Sequence, residues 1–179
     1  MLDLRSRESL IASLPGGGIG AEIGVEHGHF SAHILASNAP SRLFLVDNWS
    51  CPTYPDHQKK IRQINAALEI QYTSVMKRFL TDPRVFVIHE WSFVAADFFP
   101  DEFLDWIYID ADHVDVARDL IAWVPKVKRG GWVTGHDYNM DDGQPSLVMR
   151  DVNAYIAARD LQLQLTQDPP CCSWAFQKS

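Results

Sequence analysis

The sequence predicts an α/β protein, a doubly wound three-layer sandwich, and three observations carry that expectation. Short apolar runs alternate with amphipathic stretches along the chain. Several of those runs stop at charge: Leu43 to Val46 ends at Asp47, Trp106 to Ile109 ends at Asp110, and Trp132 to Thr134 leads into His136-Asp137. Apolar strands that each end at charged residues describe a parallel sheet whose carboxyl edge carries the chemistry. Finally, two alternating segments close the chain, so the sheet is expected to be mostly parallel and seven-stranded, with an antiparallel C-terminal strand.

Each element has its own signal. Leu2 to Leu14 suits a short amphipathic helix closed by Pro15 and three glycines. Ile19 to Val25 reads as the first strand, Phe30 to Ala36 as a helix, and Arg42 to Val46 as the second strand. An aromatic, proline-bearing stretch from Trp49 to Pro55 precedes a long helix from about Gln58 to Leu80. That helix keeps three- and four-residue spacing at Ile61, Ile64, Leu68, Tyr72, Val75 and Phe79. Val85 to Ile88 is the third strand, Ala95 to Phe99 a short helix, and Trp106 to Ile109 the fourth strand. Val114, Ala117, Leu120, Ile121 and Val124 are expected on the buried face of the next helix. Gly130-Gly131 suits its C-terminal cap and the turn into a fifth strand, Trp132 to Thr134. Asp151 to Arg159 is helical, and Leu161 to Thr166 and Ser173 to Gln177 form the closing pair.

Bulk properties narrow the function. At 179 residues, 46% hydrophobic and 22% charged, the chain reads as one domain over 1–179. A net charge of −7 argues against a nucleic-acid partner. The one basic cluster, Lys126 to Arg129, is expected to complement a helix end. No apolar run approaches the ~20 residues that span a bilayer, and no signal-peptide pattern opens the sequence. Cys51, Cys171 and Cys172 form no disulfide framework, so a reducing, cytoplasmic setting is expected.

The residues after the strands form an ordered set: Glu22, Gly24, Glu26 and Gly28; Asp47, Asn48 and Trp49; Glu90, Trp91 and Ser92; Asp110, Asp112 and His113; His136 and Asp137. The two glycines let backbone turn tightly against a ligand. Asp47 lies 19 residues beyond Gly28, the spacing at which an acid after the second strand accepts ribose hydroxyls. Gly16 to Gly20 precedes the first strand rather than following it, so it is read as a flexible lead-in, not a dinucleotide loop. His27, His29 and His33 lack the fourth ligand of a zinc site.

Glu22-x-Gly24-x-x-x-Gly28, Val46-Asp47, Tyr108-Ile109-Asp110-Ala111-Asp112-His113 and Gly130-Gly131-x-x-x-Gly135-His136-Asp137-Tyr138 together resemble the class I S-adenosylmethionine-dependent methyltransferases. Within them the sequence looks most like the small-molecule O-methyltransferase group that includes macrolide sugar methyltransferases and cephalosporin hydroxylase-like proteins. The resemblance implies a Rossmann-like fold and S-adenosylmethionine as cofactor. Glu22, Gly24, Glu26 and Gly28 would hold its methionine part, Asp47 and Asn48 its ribose, Trp91 and Ser92 its adenine, with Asp110 beside it. Asp110 and Asp137 match the acids that bind Mg²⁺ in metal-dependent relatives, and His113 matches their catalytic base, acting with Asp110. Where the catechol and caffeoyl-CoA enzymes have Asn directly after the second acid, this chain has Tyr138, then Asn139. The segment 49–80 falls where relatives carry substrate-covering elements, and Trp49, Cys51, Tyr54 and His57 could line an acceptor pocket. The acceptor would be a small hydroxylated molecule, a sugar or natural product, and the resemblance allows a homo-oligomer. Two other readings stay open: a cofactor-binding protein of the same fold without methyl transfer, and a nucleotide-sugar or NAD-binding enzyme. The latter is disfavoured because Glu22 and Glu26 would repel ligand phosphates.

Overall fold

The computed structural model describes residues 1–51, 58–111, 114–139, 145–168 and 171–179. Seven strands form one sheet: β1 (Ile19–Ile23), β2 (Arg42–Asp47), β3 (Val85–His89), β4 (Leu104–Ile109), β5 (Val127–Gly135), β6 (Gln164–Leu165) and β7 (Trp174–Gln177). Their order is β3-β2-β1-β4-β5-β7-β6. β1 to β5 are parallel, and β7 runs antiparallel to both β5 and β6, as the sequence predicts. The helices are α1 (Arg7–Ser13), α2 (His29–Ser37), α3 (Gln58–Phe79), α4 (Ser92–Ala95), α5 (Val116–Trp123) and α6 (Leu147–Ala157).

Period-two alternation sorts the strand residues into two cores. Ala21 and Ile23 of β1, Val46 of β2, and Ile107 and Ile109 of β4 face a core shared with α5 and α6. Leu43, Leu45, Trp106 and Tyr108 point the other way, against α1, α2 and α3. Leu104 joins the first core despite its even spacing from Trp106, and the β4–β5 register shifts between those two residues.

Several boundaries differ from those the pattern predicts. β1 ends at Ile23 rather than Val25, because Gly24 turns with φ 90°. α1 starts only at Arg7, where the Ser6 hydroxyl accepts from Ser9 N at 3.2 Å. α6 begins earlier than expected, capped by Ser146, whose hydroxyl accepts from Met149 N at 2.9 Å. Gly130-Gly131 is no helix cap. Both residues lie inside β5, and α5 instead closes through a 3-10 turn, Val124–Lys126. Of the basic cluster, Lys126 stands in the last turn of that 3-10 helix, while Lys128 and Arg129 lie in β5. Lys126, Lys128 and Arg129 pair with Asp101, Asp105 and Glu102 at 2.8, 2.6 and 3.2 Å, tying the start of β5 to the start of β4. Gly20 lies within β1, so the glycine-rich lead-in is partly strand.

The largest departure is the face of α5. Its buried residues are Val116, Asp119, Leu120 and Trp123, while Val114 and Ile121 are 65% and 68% exposed. A buried carboxylate takes a position that apolar periodicity would give to a hydrophobe. The reason lies in the site that this helix helps to wall.

Candidate functional site

Strand order reverses between β1 and β4, and the carboxyl ends of β3, β2, β1 and β4 border a cavity of about 810 Å³. This crevice is where open α/β sheets bind ligands. Its lining includes Glu22, Gly24, Glu26, Asp47, Asn48, Trp91, Ser92 and Asp110.

The loop after β1 is held from two sides. Asp47, at the end of β2, accepts from Val25 N at 2.8 Å and Glu26 N at 2.9 Å through Oδ2, and from Trp49 N at 2.9 Å through Oδ1. Gly24 N donates to Val46 O at 2.8 Å, and a Cβ on Gly24 would lie 2.1 Å from Asp110 O. Trp49 Nε1 donates to Glu26 O at 2.9 Å, so Trp49 is 2% exposed and packs under the loop instead of lining the cavity. Gly28 also stays out of the lining. It caps α2, and a Cβ there would press on Phe79 and Val75 of α3.

Opposite this loop, the Ser92 hydroxyl donates to Asp119 and accepts from Trp123 Nε1 at 2.9 Å. Asp119 therefore turns inward because it faces Ser92 and the cavity, which explains the rotated face of α5. Arg118 Cζ lies 3.3 Å over the Phe93 ring, and both residues extend the wall.

At the other end, Asp110, His136 and Asp137 each offer a ligand atom, and these atoms lie within 4.8 Å of one another. His136 Nδ1 is 3.1 Å from Asp137 Oδ1 and 4.0 Å from Asp110 Oδ1. Asp137 adopts φ 54°, in the left-handed region that Asp enters more readily than most non-glycine residues. Asn139 is engaged elsewhere, its Oδ1 accepting from Cys172 N at 2.8 Å, and the Tyr138 hydroxyl donates to Asn153 at 2.8 Å. His136 thus stands beside the two acids. Among the described residues, His27, His29 and His33 form no such group.

Asp112, His113, Tyr54 and His57 lie outside the described residues. In the segment 49–80, Ser50 and α3 residues Leu68 and Gln71 reach the cavity, whereas Cys51 is held by Asn65 Oδ1 at 2.6 Å. Sequence reasoning also missed Arg7, Phe30, Asp115, Arg118 and Asp119 as lining residues. The polar Asp119 within an otherwise apolar helical face was the one available signal.

Glu22 is 2% exposed and accepts from the Ser31 hydroxyl. Burial pushes its carboxyl up to about 8; Asp110 and Asp47 add to the rise, while Ser31 and Arg7 oppose it. Between its ordinary value of 4.5 and about 8, the unfolded chain loses a proton that the folded chain keeps. Stability from this residue is therefore full below the lower value and falls as pH rises through the window. Glu22→Gln should flatten the pH dependence of the urea-unfolding free energy between pH 5 and 8. A variant slope equal to wild type would remove Glu22 as its source.

A family model described as a methyltransferase domain matches residues 21–138, more than half of the chain, and the protein belongs to that family. The family model and the fold together mark a class I S-adenosylmethionine-dependent methyltransferase. A putative methyltransferase from Streptococcus mutans in complex with SAH superposes with TM-score 0.64 at 9% identity, covering 96% of this chain and 95% of that one. Aeropyrum pernix fibrillarin with natively bound S-adenosyl-L-methionine gives 0.62 at 12% identity, covering 90% and 67%. An rRNA methylase from Streptococcus thermophilus gives 0.64 at 11% identity, covering 96% and 93%. No curated protein matches in sequence. Among the described residues, no helix is long and apolar enough to cross a membrane.

Proposed function

We propose that the protein transfers the methyl group of S-adenosylmethionine to a hydroxyl of a small molecule. One observation supports this most: a single cavity runs from the Ser92–Asp119 pair, past Asp47 and the glycine loop, to Asp110, and the Asp110–His136–Asp137 group adjoins that last residue. A cofactor site next to a cluster of two carboxylates and an imidazole that can hold a hard cation suits methylation of oxygen. Among the described residues the lining holds Glu22, Glu26, Asp47, Asp110, Asp115 and Asp119; burial keeps Glu22 protonated, and the other five make an environment that favours a sulfonium cation over a phosphate-bearing nucleotide.

The three clustered residues fit a divalent cation, since two carboxylates and an imidazole meet within one coordination sphere. Bound there, such an ion would orient the acceptor oxygens and favour the ionised hydroxyl. The chain's own residues supply the rest. Asp119, oriented by the Ser92 hydroxyl, offers an acceptor to the adenine amino group, and Asp47 has one acceptor site left, on Oδ1, for a ribose hydroxyl. Gly24 permits close backbone approach to the methionyl part. Positioning the acceptor oxygen in line with the methyl–sulfur bond at ~3–3.5 Å lowers the barrier by orientation. His113, three residues after Asp110 in sequence, is our proposed base.

Calorimetric titration of S-adenosylmethionine, followed by a mass-spectrometric screen of hydroxylated acceptors with Mg²⁺ and with chelator, tests this reading. Micromolar binding and a methyl ether product are expected. Absence of cofactor binding would overturn it. His113→Ala should retain cofactor affinity and lower turnover by roughly 10²–10⁴-fold. Normal turnover would take the base assignment away from His113.

A further inference from the structure

We propose that Arg7, which lies before the family-matched residues 21–138, binds the carboxylate of the cofactor's methionyl group. This rests on S-adenosylmethionine being the ligand. Arg7 is the first residue of α1, and its side chain lines the cavity beside Glu22, Gly24 and Asp110. Its guanidinium carbon sits 3.8 Å from the Phe30 ring centroid and 5.6 Å from that of Tyr108. Stacking on aromatic faces fixes the plane of the fork while leaving its N–H edges available.

Those edges are unused. A guanidinium carries five N–H donors, yet among the described residues none of them makes a hydrogen bond, and Nε is buried without a partner. The side chain is only 23% exposed. Its one ion pair is long: Nη2 stands 3.5 Å from Asp110 Oδ2, whereas charge-assisted bonds close to ~2.7–2.9 Å. Holding a part-buried cation with its Nε shielded from water and so poorly paired is costly unless an anion completes the site.

The anchoring shows that the position is built. Arg7 N donates to Asp168 Oδ2 at 3.0 Å, and Gln167 N donates to Leu4 O at 2.9 Å. The start of α1 is thereby tied to the segment after β6, over 160 residues away in sequence.

Charge and direction identify the anion. Among the described residues two guanidinium groups line the cavity, those of Arg7 and Arg118, and Arg118 is committed to Phe93 on the Ser92 side. An adenosyl group held by Ser92, Asp119 and Asp47 lies over the ends of β3 and β2. Arg7 meets Asp110 at the end of β4, beyond β1. Three inter-strand steps separate β3 from β4, ~14 Å at ~4.8 Å each, a span comparable to an extended adenosyl amino acid. The amino-acid end therefore reaches Arg7, and its carboxylate would meet an otherwise acidic wall without that residue.

The test compares ligands that differ at this end. Calorimetry would measure SAH, decarboxylated S-adenosylmethionine and 5′-methylthioadenosine against wild type, Arg7→Met and Arg7→Lys. Arg7→Met should weaken SAH by roughly 10–100-fold, the range for a hydrogen bond to a charged group. It should leave the two ligands lacking the carboxylate within about twofold, which also shows that the variant is folded. Arg7→Lys should recover part of the SAH affinity, because it keeps the charge but not the fork. Equal weakening of all three ligands would make Arg7 a structural residue and overturn the proposal. So would unchanged SAH affinity, the result expected if Arg7 serves an acidic acceptor instead. Failure of wild type to bind any of the three would overturn the cofactor reading itself, and this inference with it.

Discussion

Gly24→Ala should abolish measurable cofactor binding and destabilise the fold by about 2–5 kcal/mol, the sum of a left-handed backbone penalty and overpacking. Gly24 has φ 90°, which L side chains rarely adopt. The added Cβ would lie 2.1 Å from Asp110 O, 2.5 Å from Asp110 C and 2.7 Å from Ala111 Cα. All three are main-chain atoms, so no rotamer change can relieve the overlap. The ends of β1 and β4 would have to separate, although Asp110 N donates to Ile23 O at 2.7 Å just there. Separation also displaces Asp110, the residue shared by the cavity and the cation-binding group. Urea unfolding with calorimetric titration measures both effects. An alanine variant within about 0.5 kcal/mol of wild type, with unchanged affinity, would show that this contact does not constrain the site.

The sheet was legible in the sequence because buried parallel strands are short, apolar and end at charge. Arg42 to Val46 and Trp106 to Ile109 differ from β2 and β4 by only one or two residues. What misled periodicity was a residue with a double duty. Asp119 is buried for its bond to Ser92, and it rotates the face of α5 away from Val114 and Ile121. Gly130-Gly131 looked like a cap because glycine pairs usually punctuate, yet here β5 runs through both. At the site, the acids after β1, β2 and β4 could be picked out because each ends or interrupts an apolar run. Arg7 could not: an arginine on a short N-terminal helix looks solvent-exposed until the chain folds it against Phe30 and Asp110. His136 beside Asp137 was visible as a pair, but only the fold brings Asp110 within reach of both.

Asp47→Ala tests whether one carboxylate both builds the loop and binds the ligand. Three backbone N–H groups, from Val25, Glu26 and Trp49, lose their acceptor at once. Unsatisfied donors cost about 1–3 kcal/mol each when buried. These are part-buried or exposed, so a total of about 2–4 kcal/mol in stability is expected. Cofactor affinity should fall at least tenfold, through loss of loop order and of a charged acceptor for ribose. Asp47→Asn should be milder. Its single carbonyl oxygen can keep the Oδ2 role toward Val25 and Glu26, but its amide cannot accept from Trp49 N. A 2′-deoxy form of the cofactor separates the two roles by a double cycle. If Asp47 contacts the ribose, removing that hydroxyl weakens binding to wild type but costs little further in Asp47→Ala. If the two losses simply add, Asp47 acts through the loop alone, and the ribose must be held by another group on the β2 side of the cavity.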